Sequence, residues 1–337
     1  MCEYRSYTIE IELLSSIETS FQADTIFGHI CWAYRFLNDE EKLGEFLVSY
    51  EKNPLQPPLL VSNGFPKDYL PKPVIPPVTQ EDLQKIVKND ERIEASFKIK
   101  TVKKADIIPK GKLEQLQRDR ITPDKLFAAM YECYDIIMDN KRKQQIIMVQ
   151  HNTIDRIKGS VRRGGLYVQD ETFFDQKEGG FEIYLKTNYF PFEELKRIFE
   201  FISRQGFGRD KSTGKGFFSF TIREGIDLPE SAQPNAFMTL SSYVPAKNDP
   251  IKGYYNIIQK YGKLGGSYAT GDPKVHGNPF KVPLIMFSAG STFIDDNYHK
   301  DRSYGSLLDK VHHNGTIRHY AYAFPLGIHI EDTYEDI

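Results

Sequence analysis

Gln205–Phe218 reads QGFGRDKSTGKGFF. Gly206, Gly208, Gly214 and Gly216 fall within one short loop, with Arg209, Lys211 and Lys215 between them and Asp210 as the single acid. Glycine reaches positive φ without strain and lets another backbone approach closely. Successive exposed N–H groups flanked by cations make a concavity for an anion, and phosphate is the natural one. A mononucleotide loop requires GxxxxGK[ST]. Here five residues separate Gly208 from Gly214, and Gly216 stands where the magnesium-binding hydroxyl would be. The dinucleotide pattern GxGxxG fails as well, because Lys211 occupies the place of its third glycine. A polynucleotide backbone remains as client; the alternative is a surface turn between a helix and a strand.

Working outward, Phe192–Ile202 before the loop carries Phe192, Leu195, Ile198, Phe199 and Ile202 at helical spacing, and FFSFTI (217–222) after it reads as a strand. Near the start, YTIEIELL (7–14) alternates apolar and acidic residues as a half-buried strand does. Asp24 is placed to cap a helix from Thr25 to about Leu37, in which Gly28 suggests close packing. Residues 54–77 are proline-dense and predict an irregular excursion. Leu83–Val87 suggests a helical turn, Phe97–Ile108 a strand and Pro123–Met138 a helix. FEIYLK (181–186) is a further alternating strand. The first 224 residues therefore read β-α-insert-β-β-α-loop-β, the order of a ferredoxin-like or RRM domain.

Between residues 141 and 163 there are seven Lys or Arg against one acid, Asp155, in a chain of net charge −2. Ile146–Val149 and Leu166–Val168 predict two strands with a basic hairpin tip at 159–165. That tip is either a solvated loop or an arm for a nucleic-acid backbone through Arg162 and Arg163. Pro229 and Pro234 mark a linker to a smaller, β-rich second unit. The cysteines Cys2, Cys31 and Cys133 form no CxxC pair, which excludes a disulfide framework and the usual zinc spacings. No long apolar run or leader pattern is present, so a cytoplasmic protein without membrane contact is expected. No cofactor and no metal site are expected; His312, His313 and His319 do not share a strand face.

FQADTIFGHICWAYRF, HNTIDR, GFGRDKSTGKGFF, YGKLGG, NPFKVPLIMFSAGS and HYAYAFPLGI, in this order, resemble the RAMP superfamily of CRISPR proteins. The nearest resemblance is to the Cas5-group subunit of the type III-A (Csm) effector complex, Csm subunit four. It spans nearly the whole chain; the proline-rich stretch, the insert to about Met138 and the last residues carry little of it. It implies an α+β fold of two tandem ferredoxin-like/RRM-like domains. The first, residues 1–227, would hold a long insertion at about 54–140 and the glycine-rich loop; the second, residues 228–337, is smaller. It also implies a non-catalytic RNA-binding subunit that caps the 5′ tag of the CRISPR RNA. Its partners would be that RNA and nearby target RNA, a large polymerase-like (Cas10-type) subunit and the backbone RAMP subunit. A β-hairpin thumb, here 157–166, would disturb pairing near the start of the guide.

The residues expected at RNA are Gly206, Phe207, Gly208, Arg209, Lys211, Ser212, Thr213, Gly214, Lys215 and Gly216, with His29, Asn152, Arg156, Arg162 and Arg163. Asp155 is expected to pair with Arg156 or a helix end. No catalytic residue is expected. The alternative is a metal-independent RAMP endoribonuclease that processes CRISPR precursor RNA with His29 as general base.

Overall fold

The computed structural model describes residues 3–331 except 89, 156, 175–179, 267 and 269–277. Strand β1 (Arg5–Leu13) follows the predicted alternation, burying Tyr7, Ile9, Ile11 and Leu13. Helix α1 (Ala23–Leu37) begins earlier than expected: Gln22 is the N-cap, and Asp24 lies inside the first turn. The Ala23 N–H is satisfied from elsewhere, donating to Asn63 Oδ1 at 2.8 Å. Nothing approaches Gly28, so close packing there is not the reason for that glycine.

After α2 (Glu40–Lys52) come β2 (Leu59–Val61), β3 (Phe65–Pro66) and β4 (Tyr69–Pro71). The proline-dense stretch thus contains strands, short ones bounded by prolines that supply no ladder N–H. The insert continues with α3 (Gln80–Ile86), α4 (Arg92–Lys104), β5 (Ile107–Pro109), α5 (Lys110–Gln117), α6 (Pro123–Glu132) and α7 (Tyr134–Arg142). Most of the strand expected over 97–108 is therefore helix. Its alternating apolar residues sit among lysines and other good helix formers, and Ala95 and Val102 bury one face. The long hairpin β6 (Gln144–Asp155) and β7 (Ser160–Phe174) follows, then β8 (Gly180–Thr187), α8 (Phe192–Gln205) and β9 (Phe218–Glu224).

The main sheet is antiparallel in the order β2-β8-β1-β9, with β3 also pairing β8. Taken as β1-α1-β2-β8-α8-β9, this is the ferredoxin-like connectivity. The large insertion lies between β2 and β8, because Leu59–Val61 is the domain's second strand. Helix α8 buries Leu195, Ile198, Phe199 and Ile202 against the core, as its spacing predicts.

The other face of the sheet is polar. Arg223 meets Glu10 at 2.6 Å and Glu182 at 3.5 Å, and Tyr184 Oη donates to Glu182 at 2.8 Å. Lys67, Asp68, Lys110 and Asp227 rim a hollow of about 450 Å3 over these groups. RRM-type domains stack unpaired bases on this face with aromatic side chains. Paired carboxylates here make it a poor surface for a phosphodiester chain.

The second unit contains β10 (Ala236–Thr239), β11 (Gly253–Tyr254), β12 (Ile257–Lys260), β13 (Leu284–Phe287), β14 (Thr292–Ile294), β15 (Gly305–Leu308), β16 (His319–Tyr322) and β17 (Pro325–Ile328). Its sheet runs β11-β14-β10-β17, also antiparallel, with β12–β13 and β15–β16 as separate pairs. One hydrophobic cluster runs from Tyr7 in the first sheet to Ile330, so the two sheets share a core. Phe27 of α1 stacks on Tyr320 of β16 at 5.0 Å, and Val61 N–H of β2 donates to Tyr320 Oη at 3.0 Å.

Because Phe27 is buried between the two units, Phe27→Ala is expected to cost about 3–5 kcal/mol. Denaturant unfolding followed separately by far-UV dichroism and tyrosine fluorescence should remain a single coincident transition at a lower midpoint. Two separated transitions would contradict the shared core.

Candidate nucleic-acid interface

Helix α8 stops at Gln205 because Gly206 turns away at φ 82°, with its N–H still donating to Ile202 O at 3.0 Å. The loop then closes on itself: Phe207 N–H donates to Gly216 O at 2.8 Å, and Gly216 N–H donates to Ser16 O at 2.9 Å. A Cβ on Gly216, at φ 72°, would stand 2.1 Å from Phe207 O. One on Gly208 would stand 2.6 Å from the Thr19 Cβ. These glycines admit other backbone and side chains of this protein. Gly214 differs: it is left-handed at φ 92° with open space around it, and it ends the single 3-10 turn Lys211–Thr213.

This changes the reading of the loop as a cradle of open amides. Gly208 N–H donates to His29 Nε2 at 3.0 Å, and Arg209 N–H to Thr19 Oγ1 at 3.1 Å. Thr213 and Gly214 N–H groups bond back to Asp210 O and Lys211 O. The amides of 206–209, 213, 214 and 216 are therefore engaged within the protein, which removes most of the loop's backbone from the cradle.

Lys215 departs furthest from expectation. It is buried, and its Nζ reaches Glu171 Oε1 at 2.7 Å and pairs with Glu18 Oε1. His151 Nε2 stands 3.5 Å from the same ammonium and 3.3 Å from Glu171. Ser16 Oγ donates to the other Glu171 oxygen at 2.7 Å. Burial opposes both charges, yet the ammonium–carboxylate contact outweighs it: Glu171 is held below the usual carboxylate range and Lys215 above the usual lysine range. Lys215 is thus a structural cation, unavailable to a phosphate. Glu18, His151 and Glu171 have their ligand atoms close enough together to surround a metal ion, but the ammonium already lies among them. Glu18 and Glu171 are far from the loop in sequence and carry no motif, which is why sequence reasoning missed them.

Arg209 and Lys211 stay at the surface with Thr213 and Gly214. Arg209 Nε is 3.9 Å from both Glu18 and Asp210, and its side chain is 64% exposed, an arrangement of little energetic weight. Asp210 takes the left-handed conformation at φ 54°, one that Asp tolerates better than most residues. Thr213 Oγ1 donates to Asp210 O at 2.7 Å, so it braces the turn. Phe207 is buried, tilted against Phe21 at 4.5 Å and stacked on His29 at 4.5 Å, and is a packing residue. His29 sits beneath the loop. Burial, with Lys211 nearby, pushes its pKa down to about 3, and its Nε2 lone pair accepts from Gly208.

The basic hairpin is longer than predicted. Its strands run out to Asp155 and Ser160, with a turn at 157–159 between them, and Arg162 and Arg163 lie on β7 beside a register shift at 152–154. Asp155 Oδ1 accepts from the N–H groups of Ile157 and Lys158, capping the turn. Asn152, Arg162 and Arg163 are exposed, with Asn152 opposite Leu166. Arg156 and the side chain of Ser212 lie outside the described residues. The hairpin joins neither large sheet. It is rooted by Glu171 on Lys215 and by the Ile17–Thr172 bridge, so the loop and the hairpin are one rigid junction. His312 contacts Asn278 O and the Asn314 N–H, whereas His319 contacts Lys281 and Met286, so these histidines belong to different surroundings.

No protein-family model and no curated protein matches the chain. Solved structures do. The chain resembles a chain of the "Csm1-Csm4 cassette in complex with AMPPNP" with TM-score 0.54 and 16% identity, covering 97% of this chain and 99% of that one. The same cassette with pppApA gives TM-score 0.53, 16% identity and the same coverage. A "Csm3-Csm4 subcomplex in the type III-A CRISPR-Cas interference complex" gives 0.51 and 17%, over 96% of this chain and 99% of that one. Csm4 is the component common to these assemblies. The likeness establishes the fold over nearly the whole length: α+β with antiparallel sheets, consistent with the RAMP fold expected from the sequence.

Removing Lys215 strands two buried carboxylates, so Lys215→Met is expected to destabilise by about 3–5 kcal/mol at pH 7. Glu171 has a depressed folded-state pKa, so its stabilising contribution is present above the ordinary carboxylate range and is lost as pH falls through the folded value. Acidification should therefore weaken the wild type more than Lys215→Met and shrink the difference between them. Urea unfolding from pH 7 to about pH 3, below the ordinary carboxylate range, checks this; a pH-independent difference would contradict it.

Proposed function

We propose that this chain is a non-catalytic RNA-binding subunit of a type III-A CRISPR interference complex, a Csm4-type cap that holds the 5′ tag of the CRISPR RNA. The observation that carries the reading is the junction of loop and hairpin. Arg209 and Lys211 are held at the surface by a turn fixed on Lys215, and Arg162 and Arg163 lie on an exposed ribbon fixed to the same point. An RNA end needs phosphate-directed cations on a rigid support and polar groups for 2′-hydroxyls. Asn152 offers such a polar group on the hairpin. The polar, carboxylate-bearing sheet face directs this reading to the loop and ribbon.

The fold shared with Csm4-containing structures supports partners of the same kind: a large Csm1-type subunit on one side and a Csm3-type backbone subunit on the other. In this reading the ribbon also meets target RNA near the start of the guide. No helix among the described residues is long and apolar enough to cross a membrane. We assign no chemistry to His29: a general base needs a free lone pair with a pKa near the working pH, and its Nε2 accepts from Gly208 with a pKa pushed down to about 3.

Arg209→Ala with Lys211→Ala is expected to weaken binding to 5′-tagged RNA and to lower the salt slope by roughly one per lost phosphate contact, with the unfolding midpoint unchanged. Filter binding over a salt series reads both; unchanged affinity and slope would remove the loop from the interface. Incubation of the protein with labelled repeat RNA without metal should leave the RNA intact. Cleavage that His29→Ala abolishes would instead establish the endoribonuclease reading.

A further inference from the structure

Strands β12 and β13 form a second ribbon, and their pairing continues past Lys260 and Leu284. Lys281 N–H donates to Gly262 O at 2.8 Å, Leu264 N–H donates to Pro279 O at 2.7 Å, and Lys263 bridges to Phe280. This ribbon lies along α1. Lys260 Nζ meets Asp24 Oδ1 at 2.9 Å and also Gln22 Oε1 at the start of that helix. Further along, Gly265 and Gly266 press on the Trp32 indole, where a Cβ would stand 2.9 Å and 2.6 Å from it. Residues 261–264 therefore pass beside the turn of α1 that carries His29, and His29 Nε2 holds the Gly208 N–H of the glycine loop. His29 and Trp32 are three residues apart, about 4.5 Å along the helix axis. The loop and the second ribbon thus border the same stretch of α1.

The rings of Tyr261 and Phe280 are nearly parallel, at 5.0 Å and 11°, and Tyr261 is 56% exposed. Lys263 Nζ stands 6.0 Å from the Phe280 ring, and its side chain is at the surface. Residues 250–266 and 278–294 contain no Asp or Glu. Lys260 and Lys281 are turned into the protein, the latter donating to Arg318 O at 2.8 Å, so Lys263 is the exposed cation beside the rings. We propose that Tyr261, backed by Phe280, is a stacking platform for one unpaired base of the RNA whose phosphates meet Arg209 and Lys211, with Lys263 on an adjoining phosphate. This rests on the RNA-binding reading and extends it from the first unit to the second. An exposed aromatic pair with a cation beside it and no carboxylate on its strands suits a base and its phosphate, and stacking accepts any base because each has a π-face.

The test is filter binding of 5′-tagged RNA to the full chain over a salt series. Tyr261→Ala should weaken binding roughly tenfold. It should leave the salt slope unchanged, because stacking releases no counterion. Tyr261→Phe should retain the wild-type affinity, and Lys263→Ala should lower the slope by about one. Tyr261 is at the surface, so its variants should keep the unfolding midpoint. One abasic nucleotide, moved in turn through the tag, should weaken wild-type binding at a single position and have no effect there in Tyr261→Ala. RNA binding that responds to Arg209→Ala with Lys211→Ala but not to Tyr261→Ala would overturn this proposal and leave the RNA-binding reading standing, the ribbon then being a protein contact. Absence of RNA binding by the wild type would remove both.

Discussion

The buried ammonium of Lys215, held between Glu18 and Glu171, is the contact on which the functional side of this molecule depends. Three segments distant in sequence meet at that atom: the connection after β1, the glycine loop after α8 and the root of the β6–β7 ribbon. Each carboxylate alone would be costly in this position, and the cation alone would be too. Together they fix the direction in which the ribbon leaves the sheet and the height at which Arg209 and Lys211 stand. Gly216 belongs to the same device, since any side chain there would collide with Phe207 and open the loop.

Charge is divided sharply over the structure. The outer face of the first sheet carries Glu10 and Glu182, neutralised in part by Arg223. The loop and ribbon carry exposed arginine and lysine. A chain of net charge −2 thereby offers a local cationic surface without becoming a general polyanion binder. The ferredoxin-like frame is retained, but the sheet face on which RRM-type domains stack bases carries paired carboxylates, and the exposed cations stand at one edge of the frame.

Much of this was legible in the sequence where a pattern was local. The alternation of Tyr7–Leu13, the helical spacing of α8 and the glycines that follow it gave the frame and the place of the loop. The ribbon was visible as a basic stretch, but its length was not, because its strands alternate poorly and expose apolar residues such as Ile146 and Met148 on the same face. Strand β2 was hidden by the prolines on either side of it. Within the loop, Arg209, Lys211 and Lys215 look equivalent in one dimension; only the remote acids Glu18 and Glu171, brought in by folding, make one of them structural. The same holds for the amides, whose partners Thr19, His29 and Ser16 come from other elements.

The claim that one lysine of the loop is a brace and another is a contact can be read directly by lysine acylation of the native protein with mass-spectrometric detection, with and without 5′-tagged RNA. Lys211 should be modified readily in the free protein and protected by the RNA, while Lys215 stays unmodified in both states. Modification of Lys215 in the folded free protein, or equal modification of Lys211 with and without RNA, would contradict the account.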